Sequence, residues 1–104
     1  MQKIGPVSSF PLGSVTELNL NVLNLLLINQ DSHFYLVENK CGHFGVPLIN
    51  GEITGSDITC SQHGIRFSMI TGEVLNRNFE SCDKIKIFEV IQQDDDLFYL
   101  MPDS

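Results

Sequence analysis

Apolar and polar residues alternate along Val15-Thr16-Glu17-Leu18-Asn19-Leu20, the period of a strand with one buried face. Leu23 to Asn29 follows as a nearly continuous apolar run, and Phe34 to Val37 as another. The polar stretch Asn29-Gln30-Asp31-Ser32 between them predicts a turn. Lys84-Ile85-Lys86-Ile87 alternates again, and Phe88 to Ile91 extends it. Gln92-Gln93-Asp94-Asp95-Asp96 then precedes Leu97-Phe98-Tyr99-Leu100-Met101, a pattern that predicts a C-terminal hairpin. Pro6, Pro11 and Gly13 hold the opening segment to short extended pieces. No window of about a dozen residues carries a helical period, and no repeat or low-complexity tract is present. The chain reads as β-rich.

Residues 41 to 75 break the pattern. Gly42, Gly45, Gly51, Gly55, Gly64 and Gly72 place six of the eight glycines there. Glycine serves where the backbone takes positive φ or passes close to another group. Such an insert in a β framework is expected to form loops that wrap something rather than to build core.

Length and charge narrow the classes. A chain of 104 residues is expected to form one domain. Hydrophobic residues at 42% and charged residues at 18% are ordinary for a globular protein and argue against disorder. Leu25-Leu26-Leu27-Ile28 is far too short to span a bilayer, and Met1 to Phe10 has no apolar signal-like core. The expectation is therefore a cytoplasmic protein with no membrane association. Three cysteines, an odd number, do not suggest a disulfide framework. Six Lys and Arg against thirteen Asp and Glu, a formal charge of −7, do not supply the cationic surface that nucleic acid requires. An acidic surface suits docking to a basic patch on a protein as well as it suits solubility.

The same insert concentrates the soft ligands. Cys41-Gly42-His43 and Cys60-Ser61-Gln62-His63 hold two of the three cysteines and two of the three histidines. Thiolate with imidazole suits transition metals, chiefly zinc and iron–sulfur centres, and two such pairs on tight turns can converge on one site. Lone His33 reads as a solvated surface residue and Cys82 as a packed thiol.

Cys41-x-His43, sixteen residues, then Cys60-x-x-His63 resembles the ligand motif of Rieske-type [2Fe–2S] proteins. Gly45-Val46-Pro47-Leu48, Gly51, Ile58-Thr59-Cys60, His63-Gly64-Ile65-Arg66-Phe67 and Thr71-Gly72-Glu73-Val74-Leu75 are similar to the segments flanking the cluster in small Rieske ferredoxins. The resemblance implies an all-β fold, an antiparallel β-sandwich. Residues 1–104 would form a single domain with a smaller cluster-binding loop subdomain at about 39–75. It implies one [2Fe–2S] cluster per chain, with Cys41 and Cys60 on one iron and His43 and His63 on the other. Two imidazoles in place of two thiolates raise the potential above that of an all-cysteine cluster. His43 and His63 would lie at an exposed tip, where their outer nitrogens mark the electron exit and make the potential pH-dependent. Pro47, Leu48, Ile49 and Phe67 would shield the cluster from the core side, and Lys40 and Arg77 would border the partner surface.

The implied function is a soluble one-electron carrier rather than an enzyme, passing electrons from a flavin-dependent reductase to a terminal oxygenase or similar acceptor. No nucleotide fingerprint, nucleophile–base pair or mononuclear iron site offers a catalytic reading. Two alternatives stand beside it: the small subunit of an NADH-dependent nitrite reductase, and a structural zinc module on the same four residues.

Departures from the pattern also matter. Rieske proteins of membrane complexes add a cysteine to each loop; the matching positions here are Val46 and Gln62, so that bridge cannot form. Prolines common after each ferredoxin ligand cysteine are Gly42 and Ser61, and the proline-rich third loop is replaced by Asn76-Arg77-Asn78-Phe79-Glu80-Ser81-Cys82. Ile65 and Phe67 stand where the membrane-complex proteins carry hydroxyl groups near the cluster sulfurs. Fewer hydrogen bonds to sulfur leave the reduced, more negative centre less stabilised. The expected reduction potential is about −150 mV, the low end of the Rieske span. A redox titration giving a clearly positive potential would contradict this.

Overall fold

The apolar run that begins at Leu23 is buried on both of its faces. The structure, a computed structural model, describes residues 1–20, 22–41, 47–61, 64–76 and 84–100. Within it β3 (Leu23–Gln30) pairs antiparallel with β2 (Val15–Leu20), from Val15↔Ile28 to Leu20↔Leu23. On its other side it pairs with β4 (His33–Glu38), from Leu25↔Glu38 to Gln30↔His33. Leu25 and Leu27 project into one apolar cluster with Phe10, Leu36, Phe88, Leu97 and Tyr99. Leu26 and Ile28 project into a second with Val37, Cys41, Leu48, Ile58, Cys60, Ile65, Phe67, Met69 and Ile85. A strand between two cores has no polar face to show, hence the unbroken run rather than alternation.

The β3–β4 turn is two residues, Asp31 and Ser32, at φ 52° and 66°. Positive φ at both positions matches the twist of the flanking strands. β4 continues laterally into β8 (Ile87–Gln93), and β8 into β9 (Asp96–Leu100) through a turn at Asp94 and Asp95. β1 (Gln2–Pro6) closes the far edge against β9, with an irregularity between Lys3 and Gly5; Pro6 is tolerated because β1 is an edge strand. A 3₁₀ turn, Val7–Ser9, follows it. The six-stranded order is β1-β9-β8-β4-β3-β2. The β-rich expectation and the C-terminal hairpin agree with this sheet.

Everything between β4 and β8 is one excursion that leaves and returns at adjacent points. Val37 pairs with Ile87, the Glu38 N–H donates to Lys86 O at 2.9 Å, and the Lys86 N–H donates to Glu38 Oε1 at 3.2 Å. The alternation at 84–87 is real in burial, with Ile85 buried between exposed Lys84 and Lys86. It is not a strand, because the Ile85 N–H bonds Gly72 O within the excursion instead of a ladder partner.

The excursion builds its own three-stranded sheet from β5 (Glu52–Thr54), β6 (Asp57–Thr59) and β7 (Arg66–Ser68), paired in that order. Leu48, Ile58, Ile65, Phe67 and Met69 from this segment are fully buried. The expectation that a glycine-rich insert would contribute little core is therefore corrected. Strands of three residues are too short to register as a period, yet Ile58 and Phe67, paired across β6 and β7, form the floor against β3 and β4.

Candidate metal centre

The second Cys/His turn is the loop of the β6–β7 hairpin. Cys60 follows β6 directly. Its N–H donates to Ile65 O at 2.7 Å, and its carbonyl accepts from the Gly64 N–H at 3.0 Å. Gly64 sits at φ +67°, the left-handed region a tight reversal needs. Ile65, fully buried, then returns the chain to the core. The Cys60 thiol is 1% exposed.

The first Cys/His turn leaves the end of β4. Cys41 is 0% exposed and belongs to the same packed cluster as Cys60. Pro47 lies on the surface, Leu48 is buried and Ile49 is half-buried, so two of the three expected shielding residues of this loop reach inward. Phe67, the fourth, is fully buried. Gly51 follows a reversal in which its N–H bonds Leu48 O at 2.8 Å. A Cβ there would stand 2.7 Å from Thr59 O and 2.9 Å from Leu48 O, so the approach of this turn to β6 requires glycine.

Amide side chains hold both loops where no ladder does. Asn39 Oδ1 accepts from the Leu48 N–H at 2.8 Å, while Asn39 Nδ2 donates to Asn24 Oδ1 at 2.7 Å and Glu17 Oε2 at 3.3 Å. Asn76 Oδ1 accepts from the Arg66 N–H, and Asn76 Nδ2 donates to Gly64 O at 3.4 Å. Sequence reasoning passed over Asn39, Asn24 and Glu17. The one signal available was the polar stretch Glu38-Asn39-Lys40 between the apolar run and Cys41.

Of the four predicted ligands, two lie among the described residues, both buried in one apolar cluster. Cys41 and Cys60 are free thiols, delivered from different loops into one core. His43 and His63 lie outside the described residues, as do Val46, Gln62, Arg77 and Cys82. Among the described residues no third ligating side chain joins the thiols. Ile65 and Phe67, the positions read as lacking sulfur-directed hydroxyls, are both fully buried in the same cluster. Exposed His33 stacks obliquely near Tyr35, 6.1 Å between ring centres, and has no part in the site.

This donor set fits an iron–sulfur group. Soft thiols stand at the inner ends of two loops, shielded from water and not spent on a disulfide. In the sequence each of the two cysteines is followed by a histidine, at +2 after Cys41 and at +3 after Cys60.

Comparison with known proteins agrees. The family model for the Rieske [2Fe–2S] domain matches residues 1–89. Apoptosis-inducing factor 3 of Homo sapiens and of Mus musculus is 30% identical over 78 residues, 75% of this chain, which spans only 13% of the length of those relatives. The ferredoxin component of the naphthalene 1,2-dioxygenase/salicylate 5-hydroxylase systems of a Ralstonia species is 28% identical over 69 residues, 66% of each chain. A chain in the complex of reduced oxygenase and oxidized ferredoxin of carbazole 1,9a-dioxygenase has the same fold. It matches with a TM-score of 0.80 at 23% identity, over 94% of this chain and 99% of that one.

The two glycines make distinct predictions. Gly64→Ala adds only left-handed strain, about 1–2 kcal/mol, since nothing lies within 4 Å of the added Cβ. Gly51→Ala is expected to cost more, because backbone oxygens must move. Thermal unfolding of the two variants checks the order, and a smaller loss for Gly51→Ala would contradict it.

Proposed function

Because this chain belongs to the Rieske [2Fe–2S] domain family, we propose that it works as a one-electron carrier between a flavin-dependent reductase and a terminal oxygenase or similar acceptor. The observation that carries the reading is that two free thiols from two loops are both buried in one apolar core. One [2Fe–2S] cluster per chain defines the family. When bound, it supplies a couple that takes up and returns a single electron.

The chain's own residues do the rest. Cys41 and Cys60 would be the thiolate ligands, and His43 and His63, two and three residues further along the chain, would complete the set. Residues 39–75 act as the cluster-binding subdomain of a single domain. Ile58, Ile65 and Phe67 keep water from the sulfur side, which limits hydrolytic loss and fixes a low-dielectric surrounding. Ile65 and Phe67 offer no hydroxyl to the sulfurs, in keeping with a potential at the low end. Exposed Lys40, beside Cys41, borders the surface a partner would meet, with Arg77 as a second cation.

The acceptor reading draws on the relatives. One is the ferredoxin component of a dioxygenase system, and another was captured as a ferredoxin with its oxygenase. The reductase follows from the one-electron chemistry, since a flavin splits a two-electron donor into single steps. The fold and the family give no support to the nitrite reductase subunit or to the zinc module. Among the described residues no helix is long and apolar enough to cross a membrane. With a charge of −7 and a ferredoxin component among its relatives, the proposed location is the cytoplasm.

Absorption and low-temperature EPR spectra before and after dithionite test this reading. The protein is expected to be red-brown, to bleach on reduction, and to give a rhombic signal with average g below the free-electron value. Cys41→Ser and Cys60→Ser are expected to abolish that signal. A colourless protein that resists reconstitution with iron and sulfide and carries zinc would overturn the proposal.

A further inference from the structure

The first ligand loop is closed at its base by a side chain. Asn39 stands just past the end of β4, two residues before Cys41, and is only 6% exposed. Its Oδ1 takes the N–H of Leu48, a fully buried residue at the far side of the loop. That N–H has no water to turn to, so losing the acceptor leaves a buried donor unpaired. On the other side, both hydrogens of Asn39 Nδ2 are used, one on Asn24 Oδ1 and one on Glu17 Oε2. Asn24 Nδ2 in turn donates to Glu17 Oε2 at 2.8 Å and Asn19 Oδ1 at 2.9 Å, and the Asn39 backbone N–H bonds Asn24 O at 3.0 Å. An unbroken polar chain therefore runs from Leu48 through Asn39 and Asn24 to Glu17, linking the loop to the β2–β3 hairpin.

We propose that Asn39 is a positioning residue for the cluster: it fixes the mouth of the loop from Cys41 to Leu48, and with it the span within which Cys41 and His43 present their ligand atoms. This rests on the ligand assignment above. The position demands an acceptor toward Leu48 and two donors toward Asn24 and Glu17 at one side-chain length, a combination that asparagine alone provides. Aspartate keeps the acceptor toward Leu48 but turns a carboxylate oxygen toward both Glu17 Oε2 and Asn24 Oδ1. Leucine keeps the bulk and loses every bond.

The test separates positioning from plain stability. Asn29 is a matched control, equally amidic and nearly as buried at 9%, whose Nδ2 donates to Phe10 O at 2.7 Å in the other apolar cluster. Cluster loss to an iron chelator, followed by visible absorption well below the unfolding temperature, and the width of the reduced EPR signal are the readouts. Asn39→Asp and Asn39→Leu are expected to speed loss about tenfold and to broaden the signal. Adding Glu17→Gln to Asn39→Asp should recover most of the wild-type behaviour: with the Asn24 amide turned over, its Nδ2 and the new amide at position 17 both donate to the carboxylate, and Asn24 Oδ1 accepts from position 17. Asn29→Leu should lower the thermal midpoint with loss rate and spectrum unchanged.

Asn39 variants that lower the midpoint yet keep the wild-type loss rate and signal would overturn the proposal. So would failure of Glu17→Gln to rescue Asn39→Asp. Should Asn39→Leu not fold, the isosteric aspartate and its rescue decide alone. Absence of a Rieske signal in the unaltered protein would be a separate failure, that of the ligand assignment, seen before any variant is made.

Discussion

Cys41 and Cys60 are core residues, and most of what surrounds the site follows from that constraint. Both thiols pack in the cluster made by the inner face of β3 and β4 with the floor of β6 and β7. A ligand loop cannot be tethered more firmly than the element it leaves. Cys60 leaves a hairpin whose register is fixed by Ile58↔Phe67, and Cys41 leaves a strand whose Val37 packs in the same cluster. The cost of ordering the loops is offset at Cys41 and Cys60 by apolar burial.

Loops that wrap a group cannot satisfy their backbone through a ladder, so other partners must be found. Asn39 and Asn76 supply them, one closing the first loop and one bracing the second through Gly64 and Arg66. The neck at Glu38 and Lys86 closes the excursion as a whole. By contrast the ion pairs are peripheral. Lys3–Asp96, Arg66–Asp57 and Lys84–Glu73 span 3.6 to 3.9 Å on exposed or half-exposed side chains. Pairs of that kind contribute about 0–1 kcal/mol at most.

The sheet was legible where the pattern had room to repeat. β2 shows itself as alternation because one of its faces meets solvent, β3 as an unbroken run because neither does, and the two-residue turns as polar breaks. The excursion was not legible as structure. Its strands are three residues long, and its glycines drew the eye to loops although Gly51 is there so that a turn can press onto β6. At the site, spacing announced the cysteines and histidines because soft ligands are scarce elsewhere in the chain. The amides were hidden for the opposite reason. Asn39 acts through Leu48, Asn24 and Glu17, partners that only the folded chain brings to it.

The proposed ligand set places two thiolates on one iron and two imidazoles on the other, so that the two irons differ. Mössbauer spectroscopy of protein reconstituted with the enriched iron isotope tests this most directly. Two iron sites in equal proportion with distinct isomer shifts are expected in the oxidised protein, with the added electron localised on the imidazole-ligated iron. Two equivalent, wholly sulfur-ligated sites, or a preparation that takes up no iron, would contradict it.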